Sequence, residues 1–562
     1  AEVHSTTVVG PPHMAHGVMS PVMWYLVALG LSLFYPIGHF ASLAAAVPLW
    51  AVNMHVYRHI SWSKLPLLAI LQYLVYFASS YDFLAAPLLP PADPDHWSPP
   101  TSLLCLVAQI PFYLLSATVP LIMDKLCYAT ACLKSQTVYV HLAPLHFLSC
   151  WWLFSFFSPY GAAGSPTTMF MHNYQTVWLA LNVGGSLLPC YVLLVLSGIL
   201  ASHLPPLCLT ETSAKRMGSA AGNITSTNNF NEDKTSPISE ICQPKQIVEG
   251  GIPARVLIGW ITAVLIALVV QDAIGNMAAR ASWSDPPPYM TVAGVFTSDA
   301  ASACTPEGFA LNLEETATAV SPDVDMVLQR ECAFSIYKEV EDAAVAAYSE
   351  IAREGGVYLG VAGYIYDSGA DDSTVTNQFW LFDPMGQRQM VYTKNKAASG
   401  LETLDTSEAE PPTVVDTPFG RISCVICNDG AFPSLVAEAG RLGADIILSP
   451  SYDPVTVLDT ETPGILARAC ENGSAYLRFV KGGRSMVLDP YGRVSLDYSE
   501  SMEKEENHIV TMEVPANRGV FALYPHVAGY LEWVVVALSV CVVVVYSLVP
   551  RVALHPSSYV SV

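Results

Sequence analysis

Apolar residues along this chain fall into long unbroken runs towards both ends and short alternating runs between them. A helix needs about 20 mostly apolar residues to cross a bilayer. Eight runs of this kind are read, at roughly 20–35, 37–53, 65–81, 102–123, 136–158, 175–201, 254–272 and 530–549. The first two are short and meet at Tyr35-Pro36-Ile37-Gly38, which leaves a re-entrant hairpin as the alternative there. Between the seventh and eighth runs the pattern changes to strand-length segments separated by turns. Strands are expected at 289–298, at Met326–Leu328 ending at Glu331, from Val357 to Tyr364, from Val375 to Phe382, and from the turn Asp383-Pro384-Met385-Gly386 to Lys394. Further strands are expected from Phe419 to Ile426, Asp445 to Leu448, Ala475 to Val480 and Arg484 to Leu488, with helices over 335–354, 432–442 and about 461–472. Strands alternating with helices and hairpins imply a layered α/β sandwich. The predicted organisation is an N-terminal transmembrane domain over 1–272, an α/β domain over 273–529 and a final span with a short tail over 530–562.

Charge sharpens this division. The chain is 52% hydrophobic and only 13% charged, against about a quarter in soluble proteins. Residues 273–529 hold 16 Lys and Arg against 36 Asp and Glu, and so carry −20 of the formal −22. That acidity argues against nucleic acid as a partner. Outside the block every basic residue (Arg58, Lys64, Lys125, Lys134, Lys215, Arg216, Lys234, Lys245, Arg255, Arg551) falls on one side if there are eight spans. By the positive-inside rule that side is cytosolic. Both termini are then cytosolic, and 273–529 is periplasmic, lumenal or extracellular. No Lys or Arg precedes the first apolar run, so no signal peptide is read. The loop 202–250, rich in Ser, Thr, Asn and Lys, reads as a flexible cytosolic segment. Asn472-Gly473-Ser474 is a sequon on the outer side, either glycosylated or a plain turn.

Three strand ends in the acidic block carry a carboxylate, an ammonium and a thiol: Glu331, Lys394 and Cys427. A thiol must lose its proton to attack a carbonyl, and a nearby carboxylate can take it. A fixed ammonium can stabilise the resulting oxyanion. Lys396 competes with Lys394, and Glu339 with Glu331; Tyr392 sets the register in favour of Lys394. Thirteen cysteines show no paired metal-type spacing, and Cys424 with Cys427 forms a single C-x-x-C in a strand, poorly suited to zinc. One disulfide among Cys304, Cys332 and Cys470 is open. No cofactor or metal is expected.

The order Glu331, Lys394, Cys427 resembles the Glu-Lys-Cys triad of the nitrilase (carbon–nitrogen hydrolase) superfamily. Val324 to Glu331, Tyr392-Thr393-Lys394, Val425-Ile426-Cys427 and Gly443 to Ser451 resemble that family's site strands. Seven spans, a nitrilase-like αββα sandwich and one further span resemble the layout of the apolipoprotein N-acyltransferase family. Leu33 to Gly38, Ser158 to Ser165, Asn182-Val183-Gly184-Gly185 and Gly519 to Pro525 resemble its other motifs. The resemblance implies a membrane N-acyltransferase. It would pass an acyl chain from a phospholipid, through a Cys427 thioester, to an amine on a lipoprotein-like acceptor. It also implies that Glu402, Asp429 and Tyr452 either support the reacting groups from behind or belong to the substrate loop, with Asp453 beside Tyr452 in that loop. The chain departs from the family at Gln329-Arg330, at Asn428-Asp429 and at Ala397 to Leu401. These departures bear on the acceptor. A membrane-tethered amidase with water as acceptor, and a non-catalytic protein retaining the fold, are the alternatives.

Overall fold

In the computed structural model, the residues described are 40–59, 174–203, 254–283, 289–367, 375–398, 402–453, 462–499, 508–516 and 520–548, with a few isolated positions between 60 and 173. The expected runs at 20–35 and 65–81, most of those at 102–123 and 136–158, the Leu33–Gly38 and Ser158–Ser165 motifs and the loop 202–250 lie outside them.

Two sheets face each other. The first has strand order β13 (His508–Pro515), β1 (Tyr289–Phe296), β2 (Met326–Gln329), β4 (Tyr358–Tyr366), β5 (Val375–Phe382), β6 (Arg388–Thr393), with β3 (Phe334–Tyr337) also paired to β4; the second has order β12 (Val494–Ser499), β11 (Arg484–Leu488), β10 (Ala475–Lys481), β9 (Ile446–Tyr452), β8 (Gly420–Cys424), β7 (Val415–Thr417). Their inner faces interdigitate. Met290 of β1 (Tyr289–Phe296), Leu328 of β2 (Met326–Gln329) and Phe379 of β5 (Val375–Phe382) meet Ile422 of β8 (Gly420–Cys424), Leu448 of β9 (Ile446–Tyr452) and Phe479 of β10 (Ala475–Lys481). Alternate residues on these strands face outwards, as the two-residue period of a strand requires. On the first sheet's outer side, Val327, Val361 and Trp380 are covered by Ala344, Tyr348 and Ala352 of a helix over Glu341–Gly355. On the second sheet's outer side, Val436 and Ala439 of the helix Pro433–Arg441 and Cys470 of the helix Arg468–Asn472 join a cluster that continues into Trp178, Leu181 and Leu194. The block is thus an αββα sandwich whose outer layer on one side is shared with apolar helices.

The expected helix over 335–354 begins late. Phe334–Tyr337 is strand β3, parallel to β4 (Tyr358–Tyr366), and the helix starts at Glu341. Phe334 and Ile336 are both buried and alternate with period two, which a strand satisfies and a helix does not. The helix Pro306–Thr318 was not expected; Thr305 caps its first turn and Pro306 sits at its first position.

Among the described residues, two helices are long and apolar enough to cross a membrane: Ile258–Gly275 within Ala254–Trp283, and Tyr524–Cys541 within Tyr524–Leu548. The expected span over 175–201 is not one straight helix. It is two, Tyr174–Gly184 and Leu187–His203, and the apolar parts on either side of the break meet at 113°. Gly185 makes the bend with φ +57°, and a Cβ there would lie 2.3 Å from a ring atom of Tyr524, so only glycine fits. Ser186 then donates its N–H (2.9 Å) and its hydroxyl (2.7 Å) to Glu471 Oε1. A carboxylate from the sandwich therefore caps the second helix, where the helix dipole favours negative charge.

Asn472 of the sequon Asn472-Gly473-Ser474 is buried and donates to the Arg468 carbonyl at 2.9 Å, and Ser474 is fully buried. The turn reading holds, because a glycan has no room there. Cys304, Cys332 and Cys470 are all free thiols, so the open disulfide is not formed.

Candidate active site

Glu331 and Lys394 come from the first sheet, and Cys427 and Tyr452 from the second. Glu331 sits in the turn just past β2, and Lys394 just past β6 (Arg388–Thr393). Beyond β8, Cys427 opens a short 3-10 turn, Cys427–Ala431. Four chain segments thus converge on the cleft between the sheets, and all three groups of the expected triad are inward-facing.

The carboxylate of Glu331 is gripped on both oxygens. Oε1 accepts from Lys394 Nζ at 2.7 Å and from Asn377 Nδ2 at 2.9 Å. Oε2 accepts from the Tyr452 backbone N–H at 2.8 Å. The thiol of Cys427 donates to the carbonyl of that same residue, Tyr452, at 3.7 Å. One residue's backbone therefore touches both the Glu331 carboxylate and the Cys427 thiol. Lys394 Nζ also reaches Glu402 Oε1, which accepts from Ala398 N–H at 2.7 Å; Tyr364 donates its hydroxyl to Glu402 Oε2 at 3.4 Å. Glu402 is thus placed on the ammonium. The side chain of Tyr452 lies under the Arg330 guanidinium, 6.0 Å from ring centre to charge.

Burial sets the charges. It pushes the Glu331 carboxyl up, against the nearby Lys394 ammonium, with Glu402 adding to the rise. It pushes the Cys427 thiol well up, helped by the negative charge of Glu331 and opposed by Lys394. For Lys394 burial acts downwards but is outweighed by Glu331, Cys427 and Glu402, so its ammonium is held well above the ordinary lysine range. These shifts favour the neutral thiol at Cys427 and the charged ammonium at Lys394.

Asp429 stitches the site together from behind. Its carboxylate accepts from Lys396 N–H (2.7 Å), Asn395 N–H (3.1 Å), Ile426 N–H (3.2 Å) and the Tyr392 hydroxyl (2.7 Å). Burial, opposed by Lys394 and these donors, pushes its carboxyl up to about 7. Asn428 donates to the carbonyls of Lys396 and Ala397 at 3.3 and 3.2 Å. Asn428 and Asp429, one of the places where the chain departs from its resemblance, therefore hold the segment after Lys394. Of the competitors, Lys396 lies over the Phe432 ring at 5.2 Å and Glu339 is exposed. Cys424 is buried packing between the sheets.

Arg330 and Gln329 explain themselves by support. Arg330 donates to the carbonyls of Glu331 (2.9 Å), Cys332 (3.2 Å) and Thr297 (3.0 Å), bracing the turn that carries Glu331. Gln329 joins Asn312, and Asn312 donates to the Ala333 carbonyl at 2.6 Å. Sequence reasoning placed Asp453 with Tyr452 in the site loop at the end of β9 but missed Asn377 and Arg478; Arg478 and Asp453 pair through Nη2 and both carboxylate oxygens.

The αββα layering and a thiol, carboxylate and ammonium at converging strand ends define a class, and sequence comparison agrees with it. Residues 300–519 match the carbon–nitrogen hydrolase family model. The chain carries a nitrilase-superfamily carbon–nitrogen hydrolase domain. Its relatives include the deaminated glutathione amidases of Dictyostelium discoideum, 24% identical over 188 residues (30% of this chain, 64% of the relative), and of Rattus norvegicus, 29% identical over 178 residues (27% and 54%). The chain thus spans between half and two thirds of the length of these relatives. A solved structure of a mutant of the Nesterenkonia AN1 amidase is 21% identical and matches over 43% of this chain and 95% of that one, with a TM-score of 0.34.

Proposed function

We propose that this protein is a membrane-anchored thiol enzyme that transfers an acyl group through a Cys427 thioester, with an amine as acceptor and a phospholipid as donor. Glu331 takes the thiol proton as Sγ attacks the donor carbonyl, and Lys394 Nζ stabilises the oxyanion. Collapse of the tetrahedral intermediate breaks the bond to the leaving oxygen, which takes the proton from Glu331. The amine then attacks the thioester, Glu331 takes its proton, and the thiol is restored as the amide forms. The observation that carries this reading is the two-sided grip on Glu331, one oxygen on Lys394 and the other on the Tyr452 N–H whose carbonyl faces Cys427. The choice of donor and acceptor is supported by the apolar helices joined directly to the sandwich and by the motifs at Asn182 to Gly185 and Phe521 to Pro525. In this reading residues 273–529 lie on the non-cytosolic side, where lipid substrates reach the cleft sideways.

A second reading is favoured by the relatives, which are named as amidases. There the donor is an amide, the leaving group is an amine and water resolves the thioester. The two share Cys427, Glu331 and Lys394 and differ at the second step.

The experiment is to incubate the full chain in detergent with phospholipid carrying a labelled acyl chain, and separately with a labelled aliphatic amide. The expected result is a hydroxylamine-sensitive adduct from the phospholipid, lost in Cys427→Ser, and discharged faster by a primary amine than by water. An adduct from the amide alone, discharged by water, selects the amidase. No adduct from either, or one that persists in Cys427→Ser, overturns both.

A further inference from the structure

The Tyr452 peptide bridges base and nucleophile, yet Tyr452 itself ends β9, at the margin of its sheet. Something must hold it. The next residue, Asp453, donates its N–H to the Lys481 carbonyl at 3.0 Å. Its carboxylate accepts two bonds from Arg478 Nη2, both at 2.8 Å. Arg478 stands on β10, in register with Ser449 of β9. Both side chains are almost wholly buried, at 1% and 3% exposure. The space is tight: a Cβ built on Gly483 would lie 2.9 Å from Asp453 Oδ2. A buried ion pair is a poor way to gain stability, because desolvation cancels most of the attraction, and apolar replacements are often as stable. Geometry is the better account of this one.

We propose that Asp453 and Arg478 are positioning residues: their ion pair fixes the Tyr452 peptide, and that peptide holds Glu331 and the Cys427 thiol in reacting register. The proposal rests on Cys427 being the nucleophile and not on the identity of donor or acceptor. The groups that bear on the thiol are Glu331 beyond β2, Lys394 beyond β6, Glu402 in the following loop, Asp453 beyond β9 and Arg478 on β10. Removing one member of the pair changes the field at the thiol as well as the geometry, and the two effects have different signs. Through space alone, Asp453→Asn removes a negative charge and makes the thiolate easier to form, whereas Arg478→Gln does the opposite. Loss of position slows both.

The test is the rate of alkylation of Cys427 by iodoacetamide across pH, followed by mass spectrometry on the full chain in detergent, with a thermal melt of each variant. This reaction needs only the thiol and its base. Asp453→Asn and Arg478→Gln are each expected to slow alkylation by about ten-fold or more at the pH plateau. The double variant Asp453→Asn/Arg478→Gln buries no charge and keeps two side chains that can bond to each other. It is expected to return to within about three-fold of the native rate. Opposite effects of the two single variants, native rates in both, or a double variant as slow as either single would overturn the proposal. If the native protein forms no acyl adduct while the alkylation pattern holds, the acyl-transfer reading falls and the positioning role stands.

Discussion

Cys427 adopts φ +48° and Cys332, the residue after Glu331, adopts φ +55°; among the described residues these are the two non-glycine residues in left-handed conformation. Such backbone costs of order 1–3 kcal/mol per residue and persists only where its surroundings enforce it. Here it aims a thiol and a carboxylate into one cleft. The protonation of that pair sets the pH response. Glu331 must be ionised to accept the thiol proton, and burial raises its carboxyl above the ordinary glutamate value of 4.5. Activity is therefore expected to rise with pH through an apparent pKa above that value, one that belongs to the Glu331–Cys427 couple rather than to either group. Lys394 is held well above its ordinary 10.5 and imposes no loss across the neutral range. A pH profile of kcat/KM checks this, and an acid limb at or below the ordinary glutamate value contradicts it. At this scale the sequence carried the three side chains that the structure brings together, because their order and their strand-end positions are visible in one dimension. It did not carry the Tyr452 N–H, since a backbone donor has no residue type to betray it. Nor did it carry Arg478, which stands in the strand-like run Ala475 to Val480 and meets Asp453 only across two strands.

At the level of elements the site depends on how strand ends are tied to each other. The sandwich and most of its strands follow from alternation and from the Asp-Pro-x-Gly turns. What alternation could not distinguish was Phe334–Tyr337 from the start of a helix, because the four residues adjoin a true helical run and only pairing with β4 separates them. The tie between the lysine segment and the Cys427 turn is Asp429, which takes the supporting one of its two expected places. Asp429→Asn keeps the shape but replaces one acceptor oxygen by a donor amide. Against the three backbone N–H groups and the Tyr392 hydroxyl that point at this carboxylate, at least one donor then loses its partner. A loss of about 1–3 kcal/mol in unfolding free energy is expected from a buried donor left unsatisfied, measurable by urea denaturation. A variant as stable as the native protein would show that the junction tolerates the loss. Activity is expected to fall as well, since Lys394 and Cys427 sit at the two ends of this tie.

On the scale of the whole molecule, the apolar helices and the sandwich are built as one piece. Glu471 caps the helix after the bend, Arg468 pairs with Glu471 within the sandwich, and the Val520 N–H donates to the Gly473 carbonyl at 2.7 Å just before the last helix. Gly473 has no room for a side chain, since a Cβ would fall 1.9 Å from the Val520 carbonyl oxygen. These contacts were not legible, because they join positions hundreds of residues apart through caps and carbonyls. The apolar runs themselves were legible, and they lead to the orientation proposed above. If residues 273–529 face away from the cytosol, the last helix must carry the tail back across. Cys304, half-buried in the sandwich, and a cysteine placed at Ser557 in the tail should then respond to opposite sides. In sealed cells expressing variants with one of these as the labelling site, an impermeant maleimide is expected to reach Cys304 from outside. It should reach Ser557→Cys only after permeabilisation. Both sites labelled from the same side would contradict a last helix that crosses the bilayer. Labelling of Ser557→Cys alone from outside would invert the orientation, and the acidic block would then work on cytosolic substrates rather than on acceptors outside.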